Sequence, residues 1–483
     1  MTALRKTTLF LTICFFFLSA RAYGQFESAE VLGTVRDASG AIIAGATVTL
    51  TNLDTGIQSR ATTDASGDYD FFNVKVGRYS LTVEKTGFAK FATTNVRVDV
   101  NARQRVDAAL QVGAVSQSIE VTGAAATLDT DSSEHGEVVN TQQILELPLN
   151  GRNFSDLTLL TTNVHRSIYA YAVPPREGAF NVNGMRSTYN SFLLDGIDNN
   201  AYSTSNQGYS NQVAQPSPDA IAEFKVITSN YSAEYGRVGG AVVNAAMRSG
   251  TNQLHGTAYE FLRNTDLNAA GFVFPAATPY VKPPLQRNQF GFTVGGPIKK
   301  NKLFFFGDYE GYRSLQRTAD FDTVPDSNDQ QGILPEPVAD PATGKVYQAG
   351  TPIPVSTLNP FAAKVLSQLP TITLPSPTTS RSNDLEVLVL TRDFSNKFDT
   401  KVDYQINNKM TGFIRYSQRI DAQYYEPDLS PSLAGGSGNG NVKAQDENAV
   451  LAYTFTVTPS SLLDVRLSYS HILGGKWPVF LGT

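Results

Sequence analysis

The sequence predicts a mainly β protein: an N-terminal β-sandwich, a small α+β domain, and the N-terminal part of a transmembrane antiparallel β-barrel. Three observations point this way. Long stretches of the second half alternate apolar and polar residues with a period of two, the pattern of a strand with two different faces. Short connections between these stretches alternate with long connections rich in Pro, Gly, Ser and Asp, as in membrane barrels. No segment has the run of about 18 apolar residues that a membrane-crossing helix needs.

The composition supports this fold class and argues against nucleic acid as a partner. Charged residues make up 17% of the 483 residues, whereas aromatic residues make up 10% and glycine occurs 38 times. Low charge with abundant Gly, Asn, Ser, Thr and Tyr is typical of β-rich proteins outside the cytoplasm. The net charge of −5 gives no basic surface for a nucleic-acid backbone.

Residues 1–24 have the pattern of a secretory signal peptide. A basic start precedes an apolar run from Leu9 to Leu18 and a small-residue exit, and we expect cleavage after Ala22 or Gly24. The single cysteine, Cys14, lies inside the apolar run. The mature chain is therefore expected to use neither disulfides nor thiol chemistry.

Residues 25–113 predict a small β-sandwich. Short β-prone segments such as VLGTVRD, DYDFFNV and RYSLTVEKTGF are separated at close intervals by glycine turns. The pattern resembles the carboxypeptidase regulatory-like domain, a module that is not catalytic. The residues that carry this resemblance are Gly33, Asp37, Gly40, Gly45, Ala46, Thr63, Asp64, Gly67, Tyr69, Gly77, Tyr79, Gly87 and Phe88.

The aromatic residues of this domain have two interpretations. Tyr69, Phe71, Tyr79 and Phe88 are predicted to lie in the core, and the glycines are predicted to be turn residues. The alternative is a carbohydrate-binding surface, because the resemblance extends to sandwiches of a starch-binding-like fold. That alternative requires an exposed row of aromatic side chains.

Residues 134–252 predict a small α+β domain. Thr141–Leu147 has the polar start and apolar spacing of a short helix, which Pro148 ends. Phe192–Leu194 and Phe224–Ile227 are apolar segments that end at turn-forming residues, as short strands do.

Ordered sequence blocks in this domain resemble the plug of TonB-dependent outer-membrane receptors of the Oar-like type. The blocks are LPLNGRNF, VNGMR, FLLDGIDNN, AIAEFKVITSNYSAEYGR, GGAVVN and RSGTN. The positions that carry the plug motif are Asn183, Gly184, Arg186, Asp195, Gly196, Glu223, Glu234, Tyr235, Gly236 and Arg237. In that family the plug sits inside a barrel of about 22 strands and moves when an inner-membrane complex pulls on it.

The resemblance implies a receptor that imports a bulky extracellular ligand, with carbohydrate as one candidate. Its partners would be TonB and the inner-membrane energising complex, and outer-membrane lipid would surround its barrel. It would lie in the outer membrane, with its N-terminal domains in the periplasm or the barrel lumen, and would need no cofactor. The rival hypothesis is a cell-surface carbohydrate-binding or adhesion protein that acts through the sandwich.

Residues 114–133 lose the rhythm of turns and predict a linker. Within it, Ile119, Glu120, Val121 and Thr122 resemble the extended segment by which family members contact TonB. A β-prone stretch in a linker suits strand addition to a partner's sheet. The alternative is that these residues form a last strand of the sandwich, and the sequence leaves both interpretations open.

Five charged residues of the plug also have two interpretations. They are Arg152, Arg186, Glu223, Glu234 and Arg237. Either they form buried contacts between plug and barrel wall, where each charge must be paired, or they are ordinary solvated residues.

Residues 253–483 predict barrel strands with one face toward lipid and the other toward an aqueous lumen. The outward face is predicted to carry Thr257, Tyr259, Phe261, Phe290, Phe292, Val294, Val402, Tyr404, Ile406, Leu451, Tyr453, Phe455, Val457, Leu463, Val465, Leu467 and Tyr469. Long loops are expected from Ser314 to Asn383 and from Asp421 to Lys443. About seven or eight strands are predicted where the family's barrel has about 22, so we expect the chain to be a fragment of a longer receptor.

No catalytic or metal site is predicted. The 4 histidines are scattered without ligand spacing, and the sequence contains no nucleophile elbow, P-loop or dinucleotide motif. The segment Asp195–Asn200 offers oxygen atoms for calcium but lacks the spacing of an EF-hand, so a solvated turn is the favoured interpretation. The chain is therefore not expected to be an enzyme.

Overall fold

Strands dominate the computed structural model, which describes residues 29–113, 118–120, 132–168, 178–201, 211–269, 282–354, 359–370, 385–429, 440–458 and 461–478. Among these residues no helix is long and apolar enough to cross a membrane. The predicted signal peptide lies outside the described residues. A two-sheet sandwich, a plug domain and one sheet of long strands follow one another along the chain.

The sandwich is built from short strands in two sheets. Its strands are β1 (Ala29–Asp37), β2 (Thr47–Asn52), β3 (Gln58–Thr62), β4 (Asp68–Val74), β5 (Gly77–Glu84), β6 (Lys90–Val98), β7 (Arg103–Arg105), β8 (Ala108–Leu110) and β9 (Ser118–Glu120). One sheet has the order β4-β1-β7, with β8 also paired to β1, and the other has the order β3-β2-β5-β6-β9. Because alternate residues of a strand face opposite ways, each sheet turns one apolar row inward.

The core of the sandwich contains its aromatic residues. Tyr69, Phe71 and Tyr79 are 3%, 6% and 6% exposed, and Phe88 packs against the same core while partly buried. The predicted core is confirmed, so none of these residues contributes to an exposed aromatic row. Gly33 differs from its prediction as a turn residue: it lies within β1, where a Cβ would stand 2.0 Å from the Val106 carbonyl oxygen.

The plug combines a central sheet with short helices. Its elements are β10 (His135–Val139), α1 (Thr141–Glu146), a 3-10 helix at Phe154–Leu160, β11 (Val164–Arg166), β12 (Phe180–Val182), a 3-10 helix at Ser187–Tyr189, β13 (Ser191–Leu194), β14 (Ile197–Asp198), a 3-10 helix at Pro218–Ala220, β15 (Ile221–Ser229) and β16 (Val242–Met247). The sheet order is β10-β15-β16-β13-β14, and β11 pairs with β12. β13 and β16 are parallel, whereas the other pairs of the sheet are antiparallel.

Helix α1 begins where the sequence predicts it. Asn140 caps it, because its side chain accepts from the Gln143 N–H at 3.0 Å while the Gln143 side chain accepts from the Asn140 N–H at 3.0 Å. Such a capping box satisfies two backbone donors that the first turn leaves open. The helix ends before Leu147, whose extended backbone leads into Pro148.

The third part is a sheet of long antiparallel strands, which we call the wall. Its strands are β17 (His255–Asn264), β18 (Leu285–Lys299), β19 (Leu303–Asp322), β22 (Leu385–Asn407), β23 (Met410–Tyr425), β24 (Gly440–Thr458) and β25 (Ser461–Trp477). The connections contain a 3-10 helix at Thr265–Leu267, α2 (Ser327–Gln330), the strand pair β20 (Val338–Ala339) and β21 (Val346–Tyr347), and α3 (Pro360–Leu366). Among the described residues the wall is an open sheet of 7 strands in chain order.

The two faces of the wall differ as predicted from β18 onward. Apolar side chains cover the outer face, where Phe292, Leu451 and Leu467 are 50%, 50% and 63% exposed. Charged side chains line the inner face, where Asp399 and Arg415 are 2% and 1% exposed because the plug covers them. This is the arrangement of a strand with lipid on one side and a polar interior on the other.

Strand β17 departs from the prediction. Tyr259 and Phe261 face the plug, since the Arg152 guanidinium lies 4.4 Å from the centre of each ring. The Thr257 hydroxyl pairs with Thr293, which is buried on the inner face. The period of two identified two faces in β17, but the other face carries Gly256, Ala258 and Glu260, and the charge of Glu260 favoured the wrong face as the inner one.

The long strands also extend further than predicted. β19 runs to Asp322 rather than ending near Ser314, and β23 runs to Tyr425 rather than ending at Asp421. Backbone pairing continues there, with residues 315–322 paired to residues 385–392, because strand pairing needs backbone hydrogen bonds and no particular side-chain pattern. The connections at the other end are short, as predicted, with Lys299 followed by Leu303 and Asn407 by Met410 as the next paired residues.

Candidate functional site

Asp195 of the plug lies buried between two cations of the wall. It occupies the turn between β13 and β14 with φ of 51°, and Gly196 follows with φ of 67°. Its side chain is 1% exposed. Lys401 donates to Oδ1 at 2.8 Å, Arg415 Nε lies 3.1 Å from Oδ2, and the Met247 N–H donates to Oδ1 at 3.0 Å. We call Asp195, Lys401 and Arg415 the Asp195 cluster.

The wall cations keep this buried carboxylate ionised. Burial by itself raises the pKa of Asp195, but the charges of Lys401 and Arg415 outweigh burial and hold the pKa below its ordinary value. Arg415 donates a further hydrogen bond to Asn448 on β24 at 2.7 Å. The predicted turn exists, but the prediction that it is solvated is wrong for Asp195, because Lys401 folds over it from 206 residues further along the chain.

A second cluster has the opposite polarity. Arg152 of the plug pairs with Asp219 of the plug and donates from Nε to Glu310 of the wall at 3.2 Å. Glu310 also accepts a hydrogen bond from the Tyr259 hydroxyl at 3.2 Å, and Lys397 Nζ lies 3.4 Å from Glu310 Oε1. We call Arg152, Asp219, Glu310 and Lys397 the Arg152 cluster. The prediction that Arg152 contacts the wall through a buried pair is confirmed.

The LNGRNF block around Arg152 adds hydrogen bonds to the wall. The Asn150 side chain accepts from Arg263 at 3.1 Å and from Arg287 at 2.7 Å. Gln289 donates to the Gly151 carbonyl at 3.1 Å. The plug is thus held against β17 and β18 as well as against β19, β22 and β23.

Glu223 lies against the sandwich rather than the wall. It is 3% exposed, accepts the Val100 N–H, and lies 3.8 Å from Arg97. Burial raises the pKa of Glu223 to about 8, and the charge of Asp99 adds to the rise, while the Val100 N–H and Arg97 oppose it. Of the two interpretations of Glu223, neither fits fully, because the residue is buried as in the first one but its partners lie in the sandwich and not in the wall.

The remaining plug-motif residues do not form one site. Arg186 and Gly236 are exposed, Glu234 is half-buried, and Tyr235 is buried beside Leu193 and Ile227. Arg237 pairs with Asp198 at 2.7 Å on the surface. Asn183 and Gly184 form a turn with φ of 50° and 78°. The solvated alternative therefore fits Arg186 and Arg237.

The predicted TonB-contact segment is described only in part. Ser118–Glu120 forms β9, which pairs in parallel with Lys90–Ala92 of β6. This pairing agrees with the interpretation of a last sandwich strand. Val121 and Thr122 lie outside the described residues, and the contact with TonB stays a prediction.

Sequence reasoning did not identify the wall partners of the plug. Because Val402 and Tyr404 are predicted to face outward, the alternation puts Lys401 and Asp403 on the polar face of β22, but no pattern singles out these two residues, Glu310 or Arg415 as partners of the plug. A period of two shows which face of a strand is polar and cannot show which plug residue lies opposite. Among the described residues, no group of 3 or more His, Cys, Asp and Glu is arranged to hold a metal ion.

Three family models match the chain in tandem. The carboxypeptidase regulatory-like domain matches residues 30–111, the TonB-dependent receptor plug domain matches residues 117–243, and the outer membrane beta barrel domain matches residues 246–479. The chain belongs to the TonB-dependent receptor family. These receptors and transporters are not an enzyme family, and their domains place the chain in the outer membrane.

Relatives of this receptor family match only with part of their length. The TonB-dependent transporter Oar of Myxococcus xanthus is 28% identical over 300 residues, which is 59% of this chain and 26% of that protein. The outer membrane transporter YddB of Escherichia coli has a TM-score of 0.44 at 13% identity, covering 70% of this chain and 39% of its own. A mutant of the ferric enterobactin receptor PfeA of Pseudomonas aeruginosa has a TM-score of 0.40 at 13% identity, covering 72% and 41%.

Replacing Asp195 by asparagine is expected to loosen the seated plug. The variant D195N removes the carboxylate that lies between Lys401 and Arg415, and breaking such a buried pair costs about 3–5 kcal/mol. Amide exchange of β13 and β16 in the detergent-solubilised chain would measure the lost stability. The matched control is D198N, because Asp198 and Arg237 form an exposed pair and its loss should cost under about 1 kcal/mol. Equal losses in both variants would contradict the importance given to the Asp195 cluster.

The contact of Glu223 with the sandwich is expected to weaken as the pH rises from 4.5 to about 8. Because folding raises the pKa of Glu223, its protonated form is the one that the contact favours, and the stability it adds is lost as pH rises through about 8. The Val100 amide, corrected for its intrinsic exchange rate, should lose protection by at most about tenfold per pH unit between pH 4.5 and about 8, and its protection should level off above that. The variant E223Q should show no such pH dependence. A wild-type profile as flat as that of E223Q would refute this assignment.

Proposed function

We propose that the chain is part of a receptor that takes up a bulky ligand across the outer membrane with energy from the inner membrane. The observation that supports this most is the nature of the plug contacts, which are largely ion pairs and hydrogen bonds of both polarities. Such contacts exchange for contacts with water when the plug moves. Displacing it therefore exposes less apolar surface than separating two apolar faces would.

The ligand would first meet the side of the plug that faces the long loops. A cavity of about 240 Å³ lies there, between the Arg152 region of the plug and the wall. Its lining carries charges of both signs, including Arg166, Arg287, Asp393 and Arg419. A lining of this kind favours a ligand rich in hydrogen-bonding groups, and carbohydrate is one such class.

TonB would act through Ile119–Thr122. β9 ends the order of its sheet, so β6 occupies one of its edges and the sheet can grow at the other. The segment precedes β10, the edge strand of the plug sheet. A pull on it would therefore reach the plug before it reaches the wall.

The rival function, carbohydrate binding by the sandwich, has less support. It depends on exposed aromatic residues, and Tyr69, Phe71 and Tyr79 are buried in the core. We therefore retain the receptor as the single proposed function.

A proline at Val121 is expected to abolish the contact with TonB. Proline cannot donate the backbone hydrogen bond that strand pairing requires. Binding of the full chain to the periplasmic domain of TonB, measured by calorimetry, should weaken by at least about tenfold in V121P. The control A125P places proline in the same linker outside the segment and should bind as the wild type does.

Uptake gives the second test of the same proposal. Whole cells carrying the receptor should stop accumulating ligand when a protonophore collapses the inner-membrane gradient. Undiminished uptake under those conditions would show that energy coupling is wrong, and wild-type binding by V121P would show that the segment is assigned wrongly.

A further inference from the structure

The sandwich meets the rest of the molecule through one of its ends. The connection from β2 to β3, that from β4 to β5, and that from β6 to β7 all reach the plug or the wall. These connections share one end of the sandwich, because Asn52 on β2 pairs with Tyr79 on β5, and Gly77 pairs with Val98 on β6. The sandwich is therefore placed end-on against its neighbours.

Its wall contacts lie at the end with the short turns, which faces the periplasm in such barrels. Asn252, just before β17, donates its N–H to the Asp54 carbonyl at 3.0 Å and its side chain to the Thr55 carbonyl at 2.6 Å. Lys75 forms an ion pair with Asp403 of β22. The Asp403 side chain is 4% exposed and lies on the inner face, so the Lys75 ammonium enters the mouth of the wall.

A cavity of about 340 Å³, partly open to solvent, lies between the three parts of the chain. The sandwich contributes Asn52 and Lys75 to its lining, the plug contributes Asp195, and the wall contributes Lys401 and Thr411. The sandwich thus forms the floor of the space directly beneath the Asp195 cluster.

Charges of alternating sign connect the floor to the plug. Lys75 of the sandwich pairs with Asp403, which also interacts with Lys401 two residues earlier on β22. Lys401 in turn pairs with Asp195, and Asp195 with Arg415. In such a row each carboxylate lies between cations, so removing the end cation Lys75 strengthens the pull of Asp403 on Lys401 and weakens the pairing of Lys401 with Asp195.

We propose that the sandwich is a second gate, in series with the plug, which closes the periplasmic mouth of the receptor and is coupled to the Asp195 cluster through Lys75 and Asp403. The proposal rests on the receptor function, since a gate needs a passage to close. It gives the carboxypeptidase regulatory-like domain a role in this chain: the sandwich must leave the mouth for cargo to reach the periplasm. Release of Lys75 leaves Lys401 as the cation of Asp403, so Asp403 competes more strongly with Asp195 for Lys401 and favours release of Asp195.

A cysteine in the cavity between the sandwich, the plug and the wall would report whether the gate is open. The variant T411C places a thiol on the wall beneath the plug, and the only natural cysteine, Cys14, lies in the predicted signal peptide. A sulfonate-bearing methanethiosulfonate reagent, which does not cross membranes, is added from the periplasmic side to the full chain in outer-membrane vesicles. The rate at which the T411C thiol is modified, read by mass spectrometry, measures how often the sandwich leaves the mouth.

Loss of the Lys75 pair is expected to open the gate. K75M should raise the modification rate by about tenfold, because it leaves Asp403 buried without the sandwich cation. The exchanged pair K75D/D403K should return the rate toward that of the wild type. The control K90M removes an exposed pair with Glu84 at the opposite end of the sandwich and should leave the rate unchanged. Equal rates in the wild type and K75M would overturn the proposal.

A reversible covalent lock tests the same gate without relying on a charge change. A Cβ on Gly56 would lie 3.4 Å from Asn301 Cγ, so G56C/N301C brings two thiols within disulfide distance. In the K75M background, oxidation of this pair should return the T411C thiol to slow modification, and reduction should restore the fast rate. Fast modification with the disulfide formed would overturn the proposal. Neither assay needs ligand or TonB, so loss of the gate and loss of energy-coupled uptake give separate results.

Discussion

A buried charge must meet an opposite charge, and in this chain the two charges sit on different parts of the fold. Asp195 belongs to the plug and its cations, Lys401 and Arg415, belong to the wall. Arg152 also belongs to the plug, and one of its anions, Glu310, belongs to the wall. The plug therefore has one register against the wall in which both clusters are satisfied. Any sliding or rotation leaves desolvated charges unpaired, which is costly even where a well-formed pair adds little net stability. Position is thus specified by charge more than by apolar area.

The inner face of β22 shows how the wall accommodates this requirement. Lys397, Asp399, Lys401 and Asp403 alternate in sign along one face. Each carboxylate has a cation on either side or across the neighbouring strand, so the face carries many charges and little net charge. The plug meets a patterned surface of this kind, and the sandwich uses the last of these carboxylates for its own contact.

The sequence predicted the architecture better than the contacts. Period-two alternation identified the outer face at Phe292, Leu451 and Leu467 because lipid imposes the same demand on every strand, and the polar start and proline end identified α1. The segment DGID has the composition of a solvated turn, which is why the sequence favours that interpretation for Asp195. The cations that pair with Asp195, Lys401 and Arg415, lie far along the chain, so the local sequence does not reveal them. Glu223 had no visible partner either, since its neighbour is a backbone N–H of a different domain. Local chemistry is readable from neighbours in sequence, whereas contacts between separately folded parts depend on docking that no short pattern encodes.

The length of the wall strands affects how the extracellular loops bind a ligand. β19 has 20 residues and β22 has 23. At about 3.3 Å per residue and a tilt of about 40°, such strands rise on the order of 50 Å, while the apolar band of these barrels is about 25 Å tall. About half of each strand therefore extends beyond the hydrocarbon layer as hydrogen-bonded sheet. Loops that connect these extended strands have their ends held by the sheet. They therefore lose less conformational entropy when they close on a ligand than longer loops that begin at the lipid surface would.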